Sequence, residues 1–265
     1  MAALVTIREV AFGYQQGDGS KPIFTGLNLA LEAGEFVAAV GTSGAGKSTL
    51  LRLLADLLEP TGGEIKVFAE SDAKRRPTAL VFQDARLMPW RRVLKNVEFG
   101  LEGLAVTRDE RRARARRALD MVGLGELATR WPGQLSGGQR QRIGLARALA
   151  VEPDLLLMDE PFGALDAITR ASLQDELIEL WQSTRKTILF VTHDIEEAVY
   201  LADRVIVLAG APASIREVIS VKALRPRDRE SETLHAPAHA VRTALDAAAP
   251  ALRWQSVTSI PKAGC

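Results

Sequence analysis

A glycine-rich stretch, Gly41-Thr42-Ser43-Gly44-Ala45-Gly46-Lys47-Ser48-Thr49, limits what this chain can fold into more than any other segment. An apolar run, Phe36-Val37-Ala38-Ala39-Val40, leads into it, and a helical pattern, Leu50-Leu51-Arg52-Leu53-Leu54, leads out. That strand–loop–helix setting is the one a P-loop requires. Glycines at 41, 44 and 46 let the backbone turn with few side chains in the way, so successive N–H groups face one concavity. The following helix adds its positive N-terminal end, and together they make an anion site suited to phosphate. Lys47 can reach the β- and γ-phosphates as a point charge, and the Ser48 hydroxyl can ligate Mg²⁺. The chain is therefore expected to bind a nucleoside triphosphate.

The flanking pattern sets the fold class. Leu155-Leu156-Leu157-Met158 and Ile188-Leu189-Phe190-Val191 are unbroken apolar runs, as expected of parallel strands covered on both faces. Between them Ala167 to Gln182 reads as an amphipathic helix with Leu173, Leu177, Leu180 and Trp181 on or near one stripe. Val205 to Leu208 reads as a last core strand. Strands alternating with helices around a P-loop imply an α/β, RecA-like P-loop NTPase sheet. Residues 4–12, and Leu27, Leu29 and Leu31 alternating with polar or small neighbours, predict strands of an N-terminal antiparallel layer. Gly13 to Lys21 reads as a loop, 47–57 as a helix, and Glu64–Phe68 and Thr78–Phe82 as short strands.

From about 84 to 150 the pattern turns helical, which predicts an inserted subdomain within a domain spanning 1–222. Thr107-Arg108-Asp109-Glu110 is a capping-box pattern, and Gly123 suits a C-terminal stop. Arg111, Arg112, Arg114, Arg116 and Arg117 lie on that helix. With a net charge of +1 over 265 residues, they read as a solvated face rather than a nucleic-acid contact. Residues 223–265 carry no assignable motif: Arg225-Pro226-Arg227-Asp228-Arg229-Glu230 mixes charges, His239 to Ala249 suits one helix, and the rest reads as partly disordered.

No apolar run approaches the ~18 residues of a spanning helix. The N-terminus lacks the basic-then-apolar pattern of a secretory signal. The one cysteine, Cys265, admits no intrachain disulfide, which fits a reducing cytoplasm.

Two further constellations bear on the phosphate site. Asp159-Glu160 ends an apolar strand, where an acid holds Mg²⁺ in P-loop enzymes and a second carboxylate can accept a proton from the attacking water. Leu135-Ser136-Gly137-Gly138-Gln139 is the most discriminating run, with Ser136 as N-cap and two glycines that open the helix end to a phosphate. One chain cannot easily use both helix ends, because each would cover the same γ-phosphate from opposite sides. Two chains arranged head to tail solve this, each nucleotide lying between the P-loop of one and Ser136–Gln139 of the other.

Over about residues 4–210 the chain strongly resembles the ATP-binding subunits of ABC transporters. The resemblance implies an ATPase that uses ATP and Mg²⁺. Tyr14 matches the aromatic that stacks on adenine, and Gln83 the loop glutamine that senses Mg²⁺ and the γ-phosphate beside the membrane subunit. Ser136, Gly137, Gly138 and Gln139 match the signature motif, and Asp159 and Glu160 the metal-holding acid and the catalytic base. Asp166, in Gly163-Ala164-Leu165-Asp166, matches an acid that crosses the dimer interface; His193, in Thr192-His193-Asp194, matches the switch histidine at the γ-phosphate. A narrower similarity, in Val81 to Trp90 and in Pro161 to Asp166 with Thr169-Arg170, is to importer ATPases for aliphatic sulfonate, taurine and nitrate. It implies a dimer, or a pair with a similar subunit, peripheral on the cytoplasmic face of the cell membrane. Its partners would be integral-membrane permease subunits and, indirectly, an extracytoplasmic solute-binding protein. Met88 and Trp90 would lie near the groove that receives the permease. The rival reading is another ABC transporter class or a non-transport ABC ATPase. DNA-repair types insert long heptad coiled coils and translation factors carry two cassettes; this chain has neither.

Overall fold

The computed structural model describes residues 2–16, 19–69 and 72–247; Met1, Cys265 and the end of the expected 239–249 helix lie outside them. Its strands and helices run β1 (Ala3–Gln16), β2 (Gly19–Glu32), β3 (Phe36–Gly41), α1 (Lys47–Leu54), β4 (Gly62–Val67), β5 (Thr78–Val81), α2 (Val93–Gly100), α3 (Arg108–Met121), α4 (Gly137–Leu149), β6 (Leu155–Asp159), α5 (Ala167–Thr184), β7 (Thr187–Val191), α6 (Ile195–Leu201), β8 (Arg204–Gly210), β9 (Ala213–Ser220) and α7 (Glu232–Asp246). One nine-stranded sheet has the order β4-β1-β2-β9-β8-β3-β7-β6-β5.

The block β8-β3-β7-β6-β5 is parallel, and β4-β1-β2 is antiparallel. This is the α/β P-loop NTPase architecture. The two blocks join through the β8–β9 hairpin and a single bridge, Phe24 to Ala213.

Alternation along the strands splits the interior into two cores. Phe36, Ala38, Val40, Leu156, Met158, Ile188, Phe190, Val205 and Val207 face helices α2 to α7. Val37, Ala39, Leu155, Leu157, Leu189, Val191, Ile206 and Leu208 face α1 and the antiparallel strands. Each fully buried Val, Leu, Ile, Phe or Met side chain among them contributes roughly 1.5–3 kcal/mol. A one-residue slip would exchange the two sets, so the register is strongly specified.

Several local expectations change. The expected loop 13–21 is extended and paired where it is described, with Gly13 opposite Pro22 and Tyr14 opposite Lys21, because β1 and β2 form one long hairpin. Helix α1 stops at Leu54 rather than residue 57, where Asp56 takes a left-handed φ of 57°. Strand β8 runs to Gly210 and returns as β9, a strand not anticipated from the sequence. After residue 222 the chain packs against α6, and α7 begins at Glu232, capped by Ser231, with Pro237 inside it. In α3, Arg114 is buried rather than solvated; it binds Glu110 Oε1 at 2.7 Å and the Lys74 carbonyl at 2.8 Å. Leu, Val and Ala neighbours pull that face inward, whereas Arg112, Arg116 and Arg117 remain exposed.

Candidate functional site

The P-loop leaves the carboxyl end of β3, the end at which open parallel sheets bind ligands. Two glycines have a definite job there. A Cβ on Gly41 would lie 2.4 Å from the Leu208 carbonyl oxygen, so its place is set by close approach to β8 and not by the turn. Gly46 has a φ of +78°, and a Cβ would meet Ile23 Cγ2 at 2.6 Å and Phe24 Cζ at 2.7 Å. The antiparallel layer thus presses against the start of α1 and excludes any side chain at 46.

Lys47 folds back on the loop, its Nζ donating to the Gly41 carbonyl at 2.8 Å and the Thr42 carbonyl at 3.2 Å. Burial lowers its pKa, opposed by the charges of Glu160 and Asp159. The next residue reaches across the sheet: Ser48 Oγ donates to Asp159 Oδ1 at 3.0 Å. Burial raises the Asp159 pKa, against the hydroxyl hydrogen bond, and the charge of Glu160 raises it further.

Strands β6 and β7 are in register with Asp159 beside Val191, and the Glu160 N–H donates to the Val191 carbonyl at 2.9 Å. That ladder sets Glu160 beside the residues that follow β7. Glu160 Oε2 and His193 Nδ1 lie 3.0 Å apart, and the histidine is largely exposed. Glu160 itself takes a φ of 45°, unusual for a non-glycine residue.

A cavity of about 610 Å³ is lined by Tyr14, Lys21, Ile23, Ser43, Gly44, Gly46, Lys47, Ser48, Thr49, Arg52, Glu160 and His193. The Tyr14 ring stands edge-on to Phe12, and its hydroxyl is 3.3 Å from Thr49 Oγ1. A neighbouring cavity of about 430 Å³ holds Gln83, Asp159 and Gly137, and Arg52 borders both. A separate apolar cavity of about 480 Å³ between α4 and α5 carries none of the expected site residues.

Ser136 caps α4 reciprocally. Its Oγ accepts from the Gln139 N–H at 3.2 Å, and its own N–H donates to Gln139 Oε1 at 3.0 Å. Gly138 is required by packing, since a Cβ would meet Thr169 Cγ2 of α5 at 2.7 Å. None of Ser136 to Gln139 lines the 610 Å³ cavity of its own chain. Asp166 caps α5, accepting from the Thr169 N–H at 3.0 Å, and hydrogen bonds from Thr169 hold its carboxyl below the ordinary aspartate range.

The ABC transporter family model matches residues 24–163. The chain belongs to the ABC transporter family. It is 50% identical over 219 residues to the aliphatic sulfonates import ATP-binding protein of Pseudomonas entomophila, covering 82% of this chain and 78% of the relative. It is 42% identical to the bicarbonate transport ATP-binding protein of Synechocystis, covering 86% and 82% of the two chains. The fold resembles a dimeric ATP-binding cassette in a post-hydrolysis state bound to ADP and Pi, with a TM-score of 0.69 and 33% identity, covering 83% of this chain and 100% of that one.

The residues expected at the site fall in different places. Ser43, Gly44 and Gly46 to Thr49 of the P-loop share one cavity with Tyr14, Glu160 and His193, while Gln83, Gly137 and Asp159 line the next. Ser136, Gly138, Gln139 and Asp166 border neither. Sequence reasoning missed Lys21, Ile23 and Arg52. Reading 13–21 as a hairpin would have found Lys21, which stands across from Tyr14.

Proposed function

We propose that this chain is the ATP-hydrolysing subunit of an ABC import system for a small anion, such as an aliphatic sulfonate, taurine or nitrate. Two copies pair head to tail on the cytoplasmic face of the membrane, beneath a separate permease fed by an extracytoplasmic binding protein. One observation carries the reading: Lys47, Ser48, Glu160 and His193 converge on one cavity, while the capped α4 N-terminus stands outside it in the same chain. The nucleotide phosphates then need that helix end from a second copy.

The donors present fit Mg²⁺. The Ser48 hydroxyl and the Asp159 carboxylate are hard oxygens 3.0 Å apart, beside a phosphate loop. Among the described residues no cluster of three His, Cys, Asp or Glu could hold a metal by itself, consistent with a cation shared with substrate phosphates. Ser48 and Asp159, with Gln83 nearby, would hold it, and when bound it neutralises charge on the β- and γ-oxygens.

The chain's own residues supply the rest. Tyr14 stacks on the base, and the loop N–H groups of Gly41 to Thr49 with Lys47 cradle the phosphates. Glu160 accepts the proton of the attacking water, and His193 contacts the γ-phosphate while pairing with Glu160. Ser136 to Gln139 and Asp166 close the site from the partner copy. Catalysis is mainly positioning and charge stabilisation. Among the described residues no helix is long and apolar enough to cross a membrane; membrane attachment runs through the permease, near Met88 and Trp90. The test is purification of the native complex, followed by ATP hydrolysis in vesicles with sulfonate, taurine or nitrate supplied outside. Stimulation by one of these anions supports the reading; permease-free chain with no ATP-dependent dimer overturns it.

A further inference from the structure

The charge-mixed segment Arg225 to Glu230, which the sequence left without a role, is built into the molecule by its arginines. Arg227 is buried, and its guanidinium donates to the carbonyls of Val199, Tyr200 and Ala202 in and after α6, and to those of Val221 and Ala223. Arg225 binds Asp203 and lies 4.4 Å over the Trp181 ring of α5. A guanidinium so placed meets most of its hydrogen-bonding capacity with carbonyls that a helix end leaves open.

Arg229 reaches α5. Its Nη2 shares two hydrogens among Asp175 Oδ1 at 2.6 Å, the Ala171 carbonyl at 2.9 Å and Gln174 Oε1 at 3.2 Å, and its Nη1 donates to the Tyr200 hydroxyl at 3.1 Å. Burial and the Asp175 hydrogen bond push the Tyr200 phenol up to about 12, so it stays protonated and donates to Asp175.

An arginine only donates and a carboxylate only accepts, so Arg229 and Glu197 together fix which way the Gln174 amide between them faces. With Oε1 turned to Arg229, Nε2 donates to Glu197 Oε1 at 2.9 Å. The buried Glu197 carboxylate accepts from the Thr192 hydroxyl on its other oxygen. Thr192 Oγ1 in turn accepts from the Asp194 N–H at 3.0 Å, and Asp194 Oδ1 accepts from the Glu197 N–H at 3.1 Å. His193 sits between Thr192 and Asp194, so both of its chain neighbours are held by this network.

We propose that Arg229 is a positioning residue for His193, acting through Gln174, Glu197 and Thr192 to hold the histidine against Glu160. The inference rests on the reading of His193 as a γ-phosphate contact. It gives the strap from Arg225 to Arg229 a function in hydrolysis, beyond fastening α7. The same strap ties α5, whose N-cap is Asp166, to α6, whose N-cap is Asp194.

The test is a double-mutant cycle on the full chain, with kcat, KM for ATP and ADP affinity measured for His193→Ala, Arg229→Gln and the pair. Arg229→Gln is expected to lower kcat roughly 3- to 30-fold, the range by which network residues modulate coupling, with ADP affinity unchanged. In the His193→Ala background the same change is expected to cost less than 2-fold, because the group it positions is already gone. Gln174→Met keeps the Arg229 bonds to Asp175 and Tyr200 and removes only the relay; it should reproduce the kcat loss, and serves if Arg229→Gln folds poorly. A full loss from Arg229→Gln or Gln174→Met in both backgrounds, or no loss in either, overturns the inference. If His193→Ala alone leaves kcat intact, the reading of His193 fails first, and with it the relay.

Discussion

Ser48 Oγ and Asp159 Oδ1 are joined by a 3.0 Å hydrogen bond that ties the first turn of α1 to the last residue of β6. The P-loop and the acid after the buried strand are thus one device before any nucleotide arrives. The acid is held there at a cost, because burial raises its pKa and the nearby Glu160 adds to the shift.

That cost has a sign that can be measured. A folded pKa above the unfolded value favours the protonated folded protein, so the stabilising term is present at acid pH and is lost as pH rises through the folded pKa. Asp159→Asn removes the charge and keeps an acceptor for Ser48. In nucleotide-free protein it should raise Tm at pH 7.5, with the gain fading as pH falls through the folded pKa of Asp159. Mg²⁺-dependent hydrolysis should fall in the same variant. Thermal unfolding at pH 7.5 and below checks this, and a lower Tm at pH 7.5 contradicts it.

Glu160→Gln keeps the size of the side chain and removes the proton acceptor beside His193. ATP binding should persist and trap a dimer, while turnover falls roughly 10²–10⁴-fold. Phosphate release and size-exclusion chromatography with ATP report the two effects. Turnover at the normal rate would take Glu160 out of its proposed role.

Tyr14 borders the cavity edge-on to Phe12 and opposite Lys21. If its ring stacks on adenine, Tyr14→Ala should weaken ATP binding by about 5- to 100-fold, the range of a base–aromatic stack, with little loss of maximal rate. Tyr14→Phe removes only the contact with Thr49 and should stay within about 3-fold of the parent. Nucleotide titration with both variants decides, since an unaltered affinity in Tyr14→Ala leaves no stack.

Trp90 is 72% exposed in the helical insertion, a large apolar side chain with no interior to fill. Its burial against a permease segment predicts that Trp90→Ala keeps ATPase activity within about 2-fold and loses co-purification with the membrane subunit. Recovery of the complex at the parent's yield would show that the contact lies elsewhere.

How much could be read in advance follows from the reach of each signal. The P-loop, Asp159-Glu160 and Ser136–Gln139 are short runs with a fixed local conformation, and each forms where it was read. Gly46 takes the positive φ that the turn needs. The positions of Gly41 and Gly138 follow instead from packing on Leu208 and Thr169, neighbours that no local pattern names. The described residues of the expected loop at 13–21 are paired strand for the same reason: their pairing partner, and not their composition, decided their state.

By itself, the order of residues determined the phosphate-binding loop, the buried strands and the capped α4, because these depend on neighbours within a few positions. Only the tertiary structure decided that Glu160 meets His193, that Lys21 faces Tyr14, and that Arg229 reaches α5 and the hydroxyl of Tyr200. Those contacts depend on β6 lying beside β7 and on the chain after β9 returning over α6. Strand order is a property of the whole core, and a side chain that serves a distant partner carries no mark of it in its own sequence.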